Sequence, residues 1–156
     1  MSTFEVSINI NASVEQVWVV LADIGTIDKW NPGVTNSYKT NSKENLGASR
    51  HCDLKGKSYL KEDVVKWIPN ESLTMGITET NLPFQSADIN FTLQSDSDRT
   101  RVTVSPVYQL KYGLLGKLLD KMFVHNTYKK GMIALLEGLK NYVEELKIKN
   151  TPHNNG

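Results

Sequence analysis

From residue 34 to about 112 the chain reads as short alternating segments broken by turn residues. Only one stretch long enough for a substantial helix follows. That order limits the fold sharply. Ala87, Ile89, Phe91 and Leu93 alternate with polar neighbours, and Val102 and Val104 alternate with Thr103 and Ser105. Period two of this kind belongs to half-buried strands. Strand boundaries are marked by 41–45, by Lys55-Gly56-Lys57, by Pro69-Asn70, by a loop holding Pro83 and by Asp96-Ser97-Asp98. Connections this short between successive strands imply an antiparallel meander.

The ends of the chain frame this meander. Phe4, Val6, Ile8 and Ile10 predict an opening strand over 4–10. Ser13 and Gln16 have the spacing of a capping box, and Val14, Val17, Trp18 and Leu21 continue at helical spacing to about 22. Ile24, Ile27 and Trp30 suggest a second short helix, ended by Asn31-Pro32-Gly33. The stretch 114–148 carries two apolar stripes. Leu115, Leu118, Leu119, Met122 and Phe123 form the first, and Met132, Leu135, Leu136, Leu139, Val143 and Leu146 form the second, rotated by more than a quarter turn. One straight helix cannot bury both against one sheet. The expectation is a separate lid-like element over about 114–123, hinged at Gly113 and Gly116, and a long helix from about 125 to 148. The class is α+β, with a curved antiparallel sheet of about six or seven strands around the long helix. Residues 1–149 are expected to form a single domain and 150–156 a disordered tail.

Composition excludes several functions. The 156 residues carry 18 Lys and Arg against 17 Asp and Glu, a net charge of +1, so bulk electrostatics recruit no nucleic acid. Lys111, Lys117 and Lys121, and then Lys129 and Lys130, are local basic stretches that read first as a solvated helix face. Apolar runs are too short to cross a bilayer, no leader pattern is visible, and a cytoplasmic location is expected. A lone cysteine, Cys52, forms no internal disulfide and no cysteine-rich metal site. His51, His125 and His153 have no second ligand at a workable spacing, so neither a metal nor any other cofactor is expected. Gly113-Leu114-Leu115-Gly116-Lys117 lacks the length of a phosphate loop and its following Ser or Thr.

The element order resembles the polyketide cyclase/dehydrase and lipid-transport superfamily, whose relatives include START domains, birch-pollen-allergen-like proteins and abscisic-acid receptors. The residues that carry the resemblance are the opening strand before Ala12-Ser13-Val14-Glu15-Gln16-Val17-Trp18, then Asp23, Trp30-Asn31-Pro32 and Gly47-Ala48-Ser49-Arg50. Glu62 and Thr100-Arg101-Val102 complete the set. The resemblance spans about 2–148 and implies a helix-grip fold with a cavity between sheet and helix, roughly 300–1,000 Å³ in the usual range of ligand sites.

It also implies that Arg50 and Glu62, on adjacent strands, both point into that cavity. A buried charge needs a partner, so the two either close the core as an internal ion pair or anchor a polar group of a ligand. Cys52 shares their face and reads as a buried thiol. Trp30, Met75, Phe84, Phe91, Tyr108 and Tyr112 are candidates for the cavity wall. So are Leu119, Met122, Phe123, Met132 and Leu136 from the C-terminal stretch. Three functions fit these residues. One is the binding of a small hydrophobic or amphipathic molecule. Another is a cyclase- or dehydratase-like enzyme with Glu62 or Tyr108 as its acid-base group, using no metal or nucleotide. The third is a co-chaperone-like interaction domain with a filled interior. A monomer or weak homodimer is expected.

Overall fold

The computed structural model describes residues 1–151. Eight strands form one antiparallel sheet. They are β1 (Ser2–Thr3), β2 (Val6–Ile10), β3 (Val34–Lys39), β4 (Ser49–Leu54), β5 (Tyr59–Ile68), β6 (Ser72–Thr80), β7 (Phe84–Asp96) and β8 (Arg99–Leu110). The order across the sheet is β1-β8-β7-β6-β5-β4-β3, and β2 also pairs with β8. The meander expected from the short turns is therefore present. The chain's opening strand closes one edge by pairing with the last strand.

The count exceeds the expected six or seven because the opening strand is split. Ser2 pairs with Tyr108 and Thr3 with Val107, then Val6 pairs with Val104. Register is unchanged across the gap. Phe4 stands opposite Pro106, which has no N–H to give to the ladder. Pairing therefore lapses for two residues while Phe4 turns into the core.

Helix α1 (Val14–Ala22) starts as its sequence dictates. Ser13 Oγ accepts from the Gln16 backbone, and the Gln16 side chain accepts from the Ser13 backbone. A 3-10 turn at Ile24–Lys29 follows, burying Ile24 and Ile27.

The C-terminal stretch corrects the expectation of a separate lid. Helical backbone runs unbroken through α2 (Gly113–Leu119), a π-helical turn (Asp120–Val124) and α3 (His125–Asn150). The two stripes are reconciled in another way: only the second is buried. Met132, Leu135, Leu136, Leu139 and Val143 cover the sheet, while the first stripe faces outward. Of the expected disordered tail, Asn150 closes the helix, and residues 152–156 lie outside the described residues.

α3 is held at defined points. Lys140 Nζ donates to the Asn9 carbonyl, Glu144 Oε1 accepts from the Asn11 N–H, and Lys147 Nζ donates to the Asn11 carbonyl. Near the helix midpoint, Gly138 lies against the loop after the 3-10 turn. A Cβ there would sit 2.0 Å from the Trp30 carbonyl oxygen. Alanine is the better helix former by about 1 kcal/mol, yet Gly138→Ala is expected to destabilise the fold by about 1–3 kcal/mol, because the backbone of the loop has to move. Thermal melts of the two proteins check the sign.

Candidate functional site

The functional candidates converge because four neighbouring strands, β4 to β7, aim residues at the space below α3. Arg50 pairs in register with Glu62, and Cys52 with Leu60. A bulge between β5 and β6 falls at Lys61/Glu62. Bulges bend a strand and re-aim side chains, and this one sits beside the buried carboxylate. Glu62 is 1% exposed and Arg50 5%.

Arg50 Nε donates to Glu62 Oε2 at 2.7 Å, and Arg50 Nη1 donates to the Ile24 carbonyl at 3.1 Å. Burial by itself lowers the pKa of a guanidinium, but the charge of Glu62, the influence of Cys52 and the Glu62 hydrogen bond outweigh it and raise that of Arg50. Cys52 Sγ lies 4.0 Å from Glu62 Oε2. Burial pushes the Cys52 thiol up to about 12, with Arg50 opposing and Glu62 adding to the rise. Glu62 Oε1 is buried and has no hydrogen-bond partner among the described residues.

These three side chains form the polar wall of a cavity of about 220 Å³ between sheet and helix. Leu60, Ile77, Ile89 and Phe91 extend the wall along the sheet. Tyr128, Met132 and Leu135 close it from α3. Gly33, Thr127 and Gly131 are exposed members of the wall and mark its mouth. The volume falls below the expected range because an aromatic cluster fills one end of the interior. Tyr128 packs against Phe4 (5.4 Å between ring centroids), Phe84 (5.4 Å) and Tyr108 (5.1 Å).

Of the residues singled out from sequence, Arg50, Cys52, Glu62, Phe84, Phe91 and Met132 line this cavity. Met75 and Leu136 are buried but belong to the solid core away from it. Trp30 is also buried and backs a shallow outer groove beside Gly138. Tyr108, a candidate acid-base group, is fully buried outside the cavity wall. Its hydroxyl donates to Asp120 Oδ1, and Ser2 Oγ donates to Asp120 Oδ2. Burial and then the Asp120 carboxylate raise the Tyr108 pKa, so the group is a fixed hydrogen-bond donor. Tyr112, Leu119, Met122 and Phe123 are exposed and do not reach the cavity. Their helix starts beyond the end of β8 and turns this stripe away from the sheet.

Sequence reasoning missed Tyr128, which faces the same space as Glu62. Burial, then the charge of Glu62 and then Tyr108 raise its pKa. The available signal was its place one helical turn before Met132. His51 and Asp53 form a surface pair at 2.8 Å, with His51 stacked between Tyr38 and Tyr59.

A profile of the polyketide cyclase/dehydrase and lipid transport family matches residues 1–144. The chain belongs to that family. Solved structures agree on the fold. A protein from Thermus thermophilus, TTHA0849, superposes with a TM-score of 0.79 at 19% identity, covering 93% of this chain and 99% of its own. A START superfamily protein from Mycobacterium smegmatis gives 0.73 at 16% identity, with coverage of 92% and 98%. Major latex-like protein 151 from Panax ginseng gives 0.74 at 12% identity, with coverage of 90% and 96%. No curated protein matches the sequence. The family and fold describe a domain of the hydrophobic-ligand-binding kind.

Proposed function

We propose that this member of the family binds one small, largely apolar molecule in the cavity, oriented by a hydrogen bond to Glu62. The observation that carries the reading is Glu62 Oε1. It is a buried carboxylate oxygen without a donor among the described residues, in the wall of a largely apolar space. A buried acceptor left unpaired is costly, more so when charged. A ligand hydroxyl or N–H would supply the missing donor. Arg50 is already committed to Glu62 Oε2 and the Ile24 carbonyl, so the site favours a donor over an anion. The volume suits a compact ligand with one or two rings or a short chain, smaller than the usual occupants of such sites.

The test is an amide-resonance titration with 2-naphthol and with naphthalene. They are similar in shape, and only the first carries a donor. A hydrogen bond to a charged acceptor is worth about 1.5–3 kcal/mol, so 2-naphthol is expected to bind about 10- to 100-fold more tightly. The shifted resonances should centre on Arg50, Cys52, Glu62, Phe91 and Tyr128. Equal affinities would remove Glu62 from the recognition. Shifts confined to the outer groove around Trp30 would remove the cavity.

A further inference from the structure

The first apolar stripe of the C-terminal helical run covers nothing among the described residues. Leu114 is 84% exposed, Phe123 61%, Leu115 58%, Met122 55% and Leu118 52%. Large apolar side chains exposed singly are ordinary, but a contiguous patch of them marks a site of interaction. From 111 to 123, only Gly116 and Asp120 are buried. Spaced four apart, they form the narrow side on which the helix rests. Gly116 is pressed so closely on the end of β8 that a Cβ would lie 2.2 Å from the Lys111 carbonyl oxygen. Asp120 is tied to Tyr108 and Ser2. The π-helical turn at Asp120–Val124 is wider than an α-turn. It slows the rotation of the stripe and keeps Met122 and Phe123 aligned with Leu118 and Leu119. The helix is thus fixed to the body along one edge and presents its apolar face directly away from it.

The charges around this face have one sign. Between residues 111 and 136 there are five lysines and a single acid, Asp120. Lys111, Lys117, Lys121, Lys129 and Lys130 are all exposed, and none is paired with a carboxylate among the described residues. Asp120 is buried and offers the surface no negative charge. We propose that residues 112–123 are a docking face for an anionic lipid surface, with the leucines, Met122 and Phe123 inserted at the headgroup boundary and the lysines on the phosphates. Leucine and phenylalanine on one side with lysine at the margins is the arrangement of helices that lie in the interface plane. Lysine stems reach along apolar surface while their ammonium groups stay in the polar layer. No described helix is long and apolar enough to cross a bilayer, so the contact is superficial. A second copy of the same face is disfavoured, because it would bring five lysines against five. The proposal does not depend on what the cavity holds. Still, Thr127 at the cavity mouth is one turn beyond Phe123 on the same helical run, which sets the mouth beside the docked surface.

The experiment is flotation of the full chain with vesicles of phosphatidylcholine alone and of phosphatidylcholine mixed with phosphatidylglycerol. The chain is expected to float with the mixed vesicles at low salt, only weakly with the neutral ones, and to be released as salt is raised. Lys117→Gln with Lys121→Gln should weaken binding about 30-fold, at the usual worth of a lysine near an anionic surface. Leu114→Ser with Leu118→Ser should weaken it about 100-fold, from lost apolar burial. Both pairs are exposed, so melting temperatures should match that of the unaltered protein, which separates lost docking from lost folding. Equal flotation with both vesicle types, binding untouched by the leucine changes, or no flotation would each overturn the proposal. So would a dimer in solution that the leucine changes dissolve, since the face would then belong to a second copy.

Discussion

Glu62→Gln should lower stability by about 3–5 kcal/mol, the usual cost of leaving one member of a buried ion pair unpaired. The substitution keeps the shape of the side chain and removes the charge that Arg50 requires. Arg50 is 5% exposed and sits 2.7 Å from Glu62 Oε2. Its remaining partner, the Ile24 carbonyl, is neutral. A denaturant melt reads the effect as a lower midpoint at unchanged slope. Arg50→Met combined with Glu62→Leu should recover most of the loss, because apolar residues of similar volume commonly replace a buried pair at little cost. That double variant should nevertheless lose the preference for 2-naphthol over naphthalene. The pair would then be separated into two roles: Arg50 neutralises Glu62, and Glu62 recognises the ligand. Stability unchanged in Glu62→Gln, together with a weakened preference, would mean that water entering by the mouth solvates the pair. No change in either property would show that the two side chains do not meet.

The fold was legible because its signals are local and repeated. Alternation at Ala87 to Leu93 and the Ser13–Gln16 capping box each state an element in a few residues. The matching of Arg50 with Glu62 follows from two strands whose shared hairpin fixes the register. What the sequence hid depends on distant contacts. The split of the opening strand requires knowing that Phe4 lies opposite Pro106, about a hundred residues away. The cavity wall required knowing which apolar residues face space and which face neighbours. Met75 and Phe91 are equally apolar, lie on adjacent strands, and differ only in that respect. Tyr112 to Phe123 show the same problem more sharply. Apolar periodicity identifies a face that avoids water, and reading it as buried within the chain assumes that the chain provides the cover.

Alkaline pH should destabilise the protein from about pH 9 upward, and Cys52 should set the onset. The unfolded thiol loses its proton near its ordinary value of 9.0, whereas the folded one holds it to about 12. Between these values the native state binds more protons than the unfolded state, so stability falls as pH rises. Cys52 therefore contributes stability that is fully present below about pH 9 and is lost on the way to about 12, at about 1.4 kcal/mol per pH unit. Tyr108 and Tyr128 are also raised, chiefly by burial. They add to the slope once pH passes the ordinary tyrosine value of 10.0. Urea melts at about pH 8 and about pH 10 measure the change, and Cys52→Ala should flatten the fall between about pH 9 and 10. An unaltered slope in Cys52→Ala would locate the titrating groups elsewhere. The proton on Cys52 also bears on the site. With the thiol neutral, the polar wall carries one positive and one negative charge, and Arg50 serves Glu62 alone. A thiolate 4.0 Å from Glu62 Oε2 would compete for the same guanidinium. The burial that holds the proton on sulfur thus keeps the Arg50–Glu62 pair intact and leaves Glu62 Oε1 as the charged acceptor for a ligand.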